Sequence, residues 1–199
     1  MDKFTKHRIS VYGINGCYDA MESNLVEVTQ VYLEKNSPAY NHDSIKTLCA
    51  KMPQDKVTIL DGNSFRDKID TNRSQGVLIK AQASSFSSLP AIEQKNACYV
   101  ILDQVQDPHN LGQILRICAG GSINGVIITD RNSVSMTSAV AQVSQGGFAK
   151  IPLYSVVNIN QAIKHFKKND FWITSFENNI DAKDWYSIDL KEWLPFRVS

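Results

Sequence analysis

The apolar positions of this chain change period repeatedly, from strand-like alternation to a helical repeat and back. Near the start, ISVYG (residues 9–13) reads as a short strand and Asn15 to Glu22 as the helix after it. VTQVYLEK, rich in β-branched and aromatic residues, predicts a second strand. From Asp43 onward Ile45, Leu48, Cys49 and Met52 fall at i, i+3, i+4 and i+7, the spacing of one helix face. VTIL and GVLIKA predict two further strands. Alternating strands and helices over residues 1–82 imply a compact α/β unit, whose complete pattern is expected to fold alone.

Residues 83–96 break the pattern. The stretch SSFSSLPAIEQKN is Ser-rich, contains Pro90 and reads as a linker. A second α/β pattern fills 97–199. CYVILD is an apolar run of the kind buried in a parallel sheet. A helix follows with Leu111, Ile114, Leu115 and Cys118 on one stripe, stopped at Gly120 and Gly121. GVIIT predicts a strand. Met136, Ala139, Val140 and Val143 predict a helix closed by Gly146 and Gly147, and IPLYSV is the next strand. Ile159, Ala162, Ile163 and Phe166 mark a third helix, and FWITSF a fourth strand. Strands joined in this way by helices imply right-handed crossovers and a parallel sheet. The chain then brings Trp185, Leu190, Trp193, Leu194 and Phe196 close together, a cluster expected to need further structure to pack against.

Composition narrows the picture only a little. Hydrophobic content of 43% with 21% charged residues is ordinary for a soluble globular protein. No apolar run has the ~18–20 residues of a membrane span. The basic start MDKFTKHRISVYG lacks an apolar signal region, so a cytoplasmic protein is expected. Cys17, Cys49, Cys98 and Cys118 lie far apart with no CxxC pair, which predicts reduced thiols and no metal site. A net charge of +1 announces no nucleic-acid partner globally, but a local basic stripe can still meet phosphate.

The stretch LDQVQDPHNLGQILR, Leu102 to Arg116, carries the candidate chemistry. Asp107 can cap the helix and Pro108 suits its first position, where no amide donor is needed. Asn110 then sits in the first turn, at the carboxyl end of a parallel strand, where open α/β sheets bind ligands. Gly112 and Arg116, four apart, are expected to stack on one face opposite the apolar stripe, the glycine leaving room for an incoming substrate. On the residues alone, Arg116 is equally a contact for an anionic backbone and a solvated helix residue. Asp107 reads first as a cap and His109 as a helix-start residue.

DPHNLGQILR, then GVIITDRNSV, then AVAQVSQGGFAKIPLYSV resemble successive segments of the SpoU/TrmH family of RNA methyltransferases. That family's motif is an Asn, then Leu-Gly, then an Arg six residues after the Asn; Asn110, Gly112 and Arg116 match it. VSQGG resembles a Ser-Ala-Gly-Ala stretch of the family. The front half is similar to the substrate domain of two-domain ribosomal RNA members: VYGINGCYDAME looks like their Ile-Tyr-Gly-Ile-His opening, and Gln75-Gly76-Val77 like their His-Gln-Gly-Ile segment. The resemblance covers about Val11 to Leu194.

It implies a ribosomal-protein-like α/β substrate-binding domain followed by a SPOUT-type (α/β-knot) parallel-sheet domain. It implies methyl transfer from S-adenosylmethionine to a ribose 2′-hydroxyl, with Arg116 and Asn110 catalytic and Gln75, Gly76 and Gly112 meeting RNA. It also implies a homodimer, with ribosomal RNA favoured over transfer RNA. The family continues with a Gly-x-Glu-x-x-Gly loop and a Ser-Leu-Asn-Val-Ser segment that tie the knot, hold the donor and build the dimer interface. Neither occurs in these 199 residues. The expectation is therefore a chain truncated before its cofactor site, impaired in catalysis and in dimerisation, without a knot and binding no S-adenosylmethionine. A non-catalytic RNA-binding remnant, or the product of a frameshifted gene, is the alternative.

Overall fold

The computed structural model of the chain describes residues 4–92 and 97–176, together with 184 and 187. The front half contains β1 (Phe4–Tyr12), α1 (Ile14–Glu22), β2 (Val26–Glu34), α2 (Pro38–Asn41), α3 (Asp43–Lys51), β3 (Val57–Leu60), α4 (Gly62–Arg66) and β4 (Val77–Phe86). The back half contains β5 (Tyr99–Ile101), α5 (Pro108–Gly120), β6 (Gly125–Thr129), α6 (Ser138–Ser144), β7 (Leu153–Val156) and α7 (Ile159–Lys168). The chain is α/β, as its periodicity predicts. Only the short helices α2 and α4 escape that reading. Both are started by local caps, Ser37 accepting from the Tyr40 amide and Asp61 from the amides of Asn63 and Ser64.

The described strands form one sheet in the order β3-β2-β4-β7-β6-β5, with β1 added on β4. β1 runs antiparallel to β4 from Tyr12↔Leu78 to Phe4↔Phe86 and occupies one edge of it throughout. β2 occupies the opposite edge as far as Val26↔Ala83. Beyond that point β7 takes over this edge, pairing in parallel at Ser85↔Leu153 and Phe86↔Tyr154. β6 and β5 follow, both parallel.

Two expectations change here. Ser84 to Phe86, read from sequence as the start of a linker, finish β4 and stitch the two halves together. Residues 171–176, expected as the fourth parallel strand, form none. β4 already pairs with Leu153 and Tyr154 on the outer edge of β7, and Phe171 packs against Tyr99 and Phe166, with ring centroids 5.9 and 5.3 Å away. The aromatic cluster of Trp185, Leu190, Trp193, Leu194 and Phe196 lies outside the described residues.

One buried cluster fills the inner face of the sheet across both halves. Ile9, Val11, Cys17, Ile45, Val77 and Ile79 from the front meet Leu111, Leu115, Val126, Val140 and Leu153 from the back. Helices α1, α3, α5 and α6 cover this face. A second, smaller cluster lies on the opposite face, where Ala162 and Phe166 of α7 pack on Ile127 and Val156. The parallel part of the sheet is therefore covered on both sides, as parallel sheets require.

The free edge of β1 is covered at its Ser10–Tyr12 end. The Ser10 amide donates to Ser138 Oγ (2.8 Å), and the Gln142 amide group pairs with both the N–H and the carbonyl of Tyr12 (3.2 Å each). Side chains of α6 thus take the place of a further strand and blunt an edge that would otherwise recruit other chains.

Candidate functional site

Helix α5 begins as its sequence dictates. Asp107 accepts from the His109 amide at 2.8 Å, and Pro108 occupies the first turn. The helix start lies at the carboxyl end of β5. The Val134 amide, from the loop after β6, donates to the Val105 carbonyl at 2.8 Å and ties that loop to the one leading into α5. In the β6 loop Thr129 Oγ1 bonds the Arg131 carbonyl and Ser133 Oγ, and Asp130 accepts from Ser155. The carboxyl ends of three parallel strands are thereby held in one polar rim, the usual position for a ligand in an open α/β sheet.

Asn110 and Arg116 both lie on the solvent side of α5. Neither side chain has a hydrogen bond or ion pair among the described residues. Six residues of helix place them about 9 Å apart along the axis and about 120° apart around it. They flank the exposed face and do not touch, so Asn110 does not orient Arg116 directly. Gln113 and Ile117 occupy the surface between them, and Ile117 is 71% exposed. Sequence reasoning passed over both, although a helical projection of Pro108 to Gly120 would have put them there. His109 is exposed beside Asn110.

Gly112 departs from its expected role. It is buried at the crossing of α5 and α6, where an added Cβ would lie 2.7 Å from Val143 Cβ and 3.0 Å from the Val140 carbonyl oxygen. The glycine lets two helices approach; it opens no room for substrate. The matching approach on the next turn is made by Gly147, whose Cβ would meet the Leu115 carbonyl at 2.7 Å. The VSQGG stretch therefore positions α5 by close packing.

Gln75 and Gly76 form a left-handed corner (φ 52° and 80°) that opens β4. Gln75 is exposed, but its Oε1 accepts from the Ile14 amide at 3.0 Å and so serves the start of α1, while its carbonyl accepts from Ala39 at 3.0 Å. Gly76 is buried, and a Cβ there would fall 2.1 Å from Ser37. The corner is built for the chain's own backbone before any ligand. It joins α5 through α6, since Gln142 holds Tyr12 while Val143 packs on Gly112.

The four cysteines are free, and burial raises the thiol pKa of each, of Cys17 most. Among the described residues no group of His, Cys, Asp or Glu is placed to hold a metal, and no helix is long and apolar enough to cross a membrane.

A parallel sheet of this order, with the capped start of a helix at its carboxyl rim, defines an α/β protein of the kind that binds ligands at that rim. The SpoU rRNA Methylase family profile matches residues 97–196, half of the sequence, and the chain belongs to that family. Its relatives agree. A Staphylococcus saprophyticus protein named as a TrmH family tRNA/rRNA methyltransferase is 38% identical over 106 residues, which are 52% of this chain and 43% of that one. A Staphylococcus aureus protein of the same name is 40% identical over 90 residues, 45% of this chain and 36% of that one. Two solved structures share the fold. The AdoMet-bound rRNA methyltransferase of Sinorhizobium meliloti gives a TM-score of 0.62 at 18% identity, covering 80% of this chain and 58% of that one. The SpoU methyltransferase AviRb of Streptomyces viridochromogenes, solved in complex with AdoMet, gives 0.63 at 13% identity, covering 82% and 59%. The chain spans less than half the length of these curated relatives and less than two thirds of either solved chain.

Proposed function

We propose that this chain is an RNA 2′-O-ribose methyltransferase by descent, carrying the RNA-facing half and the catalytic helix, with ribosomal RNA as substrate. The observation that carries the reading is α5: a family-matched helix with Asn110 exposed in its first turn at the carboxyl rim of the sheet and Arg116 exposed two turns further on. A ribose 2′-hydroxyl is weakly acidic, so its attack on a methyl group needs the developing charge on oxygen to be stabilised. The Arg116 guanidinium stays protonated in proteins and cannot act as base. Its role is to hold the developing alkoxide, with Asn110 placing the substrate and the hydroxyl proton passing to water at this exposed face. We assign Gln75 and Gly76 to the RNA-facing corner and the protein to the cytoplasm.

S-adenosylmethionine does not fit the described residues beside this helix. The cleft of about 450 Å³ lined by Phe86, Tyr99, Tyr154 and His165 lies on the α7 side of the sheet, whereas α5 lies on the other. GGSING follows a helix, not a strand, so it lacks the arrangement that cradles a nucleotide. We therefore derive no step through the donor and propose that the 199-residue chain alone binds it negligibly; calorimetric titration showing micromolar affinity contradicts this. The same misfit favours a second reading, RNA binding without catalysis. Joining the Gly-x-Glu-x-x-Gly and Ser-Leu-Asn-Val-Ser segments of a relative to the chain separates the two. The first reading expects donor binding, dimerisation and transfer of tritiated methyl groups to ribosomal RNA to appear together. Donor binding and dimerisation without transfer would support the second.

A further inference from the structure

The face of the front sheet opposite the shared core has no helix over β1 and most of β4 among the described residues. Pairing fixes its composition. Ser10 lies opposite Lys80, Arg8 opposite Gln82, Lys6 opposite Ser84 and Phe4 opposite Phe86. All of these side chains point away from the core, because Ile9, Val11, Ile79 and Ala81, in the alternate positions, are buried in it. Lys6, Arg8 and Lys80 are exposed, and Lys80 reaches Ser10 Oγ at 2.9 Å across the strand pair.

Two acidic residues of β2 are on this face: Glu34 at the far end, and Glu27, opposite Gln82, which pairs with Lys6. That hydrogen bond holds the Glu27 carboxyl below its ordinary range, and Lys56 adds to the effect. Lys6, Arg8, Lys80 and Lys56 thus outnumber Glu27 and Glu34 here, on a protein whose total net charge is +1. The stripe also has two ends. At one, Tyr12 and Leu78 adjoin the Gln75–Gly76 corner. At the other, Phe86 forms a wall of the 450 Å³ cleft, with its ring centroid 5.5 Å from that of Tyr154. Tyr99 and His165 face the same space, and His165 Nε2 lies 3.0 Å from the Pro90 carbonyl.

We infer that this face is a platform for single-stranded RNA, with the phosphates on Lys6, Arg8 and Lys80 and one base in the aromatic cleft. Charge complementarity selects a polyanion, and a concave site walled by aromatic rings at the end of the stripe selects an unstacked base. A duplex offers phosphates but no free base for the cleft. The choice of RNA as polyanion rests on the function proposed above, whereas the location rests on the sheet itself and lies across the molecule from Arg116.

Fluorescence anisotropy of a fluorescein-labelled oligouridylate with the full chain tests it. Arg8→Glu combined with Lys80→Glu, both at exposed positions, is expected to weaken binding at least tenfold. It should also flatten the log–log salt dependence by about 1.4, the value for two phosphates lost from a single strand. Phe86→Leu keeps apolar bulk, so it should weaken binding severalfold while leaving the salt slope and the thermal melt unchanged. An RNA duplex of equal length should bind more weakly and ignore Phe86→Leu. If the double reversal leaves oligouridylate affinity unchanged, or the duplex binds equally well, the platform is wrong. A folded ribosomal RNA fragment that still binds the reversed variant overturns this surface and leaves the proposed function standing. If neither RNA binds the native chain, both fall.

Discussion

The two halves share one sheet but solve the problem of its faces differently. In the front half, strands of mixed direction bury one face under α1 and α3 and turn a charged, polar face to solvent over β1 and β4. In the back half, three short parallel strands are covered twice, by α5 and α6 on one side and by α7 on the other. Antiparallel pairs can live with one wet face, whereas a parallel sheet built from crossovers cannot. The halves therefore divide the work: the front offers a broad surface, and the back offers a rim and a helix start. Ile117, Val157, Trp172 and Phe176 are all more than 70% exposed, and all belong to the back half. Among the described residues their front-half counterparts, Phe4, Tyr18 and Ile59, are less exposed.

The largest effect should come from the core that joins the halves. Leu115 is fully buried between them, so Leu115→Ala should cost about 2–5 kcal/mol and lower a single cooperative melt. Two separate melting transitions, with only the later one shifted, would instead show that the halves fold independently. Gly112→Ala forces a methyl group against Val143 and should cost about 1–3 kcal/mol by overpacking. If the variant is as stable as the native chain but fails to bind RNA, Gly112 is a substrate contact after all.

Gln142→Leu removes both side-chain bonds to Tyr12 and uncovers part of the β1 edge. A loss of about 1–2 kcal/mol in denaturant melts, with faster amide exchange at Tyr12, is expected. A fragment ending at Ser87 keeps all of β4 but loses this cover. We propose that it still melts cooperatively, at a lower temperature than the full chain; a featureless melt would make the front half dependent on the back. The smallest effect concerns His7, half-buried against Ser85 Oγ at 2.8 Å. Burial lowers its pKa from the ordinary 6.5. The folded chain therefore binds fewer protons than the unfolded one, and stability falls as pH drops from 6.5 through the lowered value. His7→Gln should remove that pH-dependent component from a pH series of melts.

The legible parts of this fold were those set by local periodicity. The alternation in VTQVYLEK and the stripe of Leu111, Leu115 and Cys118 each stated their element and its buried side, and Asp107-Pro108 stated where α5 begins. What could not be read were events decided by distant partners. FWITSF has strand propensity, but Ser85 and Phe86, nearly ninety residues earlier, already pair with the first half of the β7 edge, and Phe171 packs on Tyr99 and Phe166. Gly112 shares a helix edge with Arg116 in projection, yet its neighbour is Val143 of another helix. Asn110 and Arg116 were identifiable as a pair by resemblance, while their separation around the helix follows from spacing alone. The basic stripe emerges only when β1 is laid on β4, because Lys6 and Arg8 are more than seventy residues from Lys80.

The central claim is that Arg116 serves transfer to a ribose oxygen. It is tested most directly by analysing the nucleosides of ribosomal RNA after reaction with the chain joined to a relative's donor-binding segment. Liquid chromatography with mass spectrometry should find a 2′-O-methylated ribonucleoside, absent with Arg116→Ala although that variant melts like its parent. Methyl groups on a base, or undiminished 2′-O-methylation by Arg116→Ala, would contradict the account.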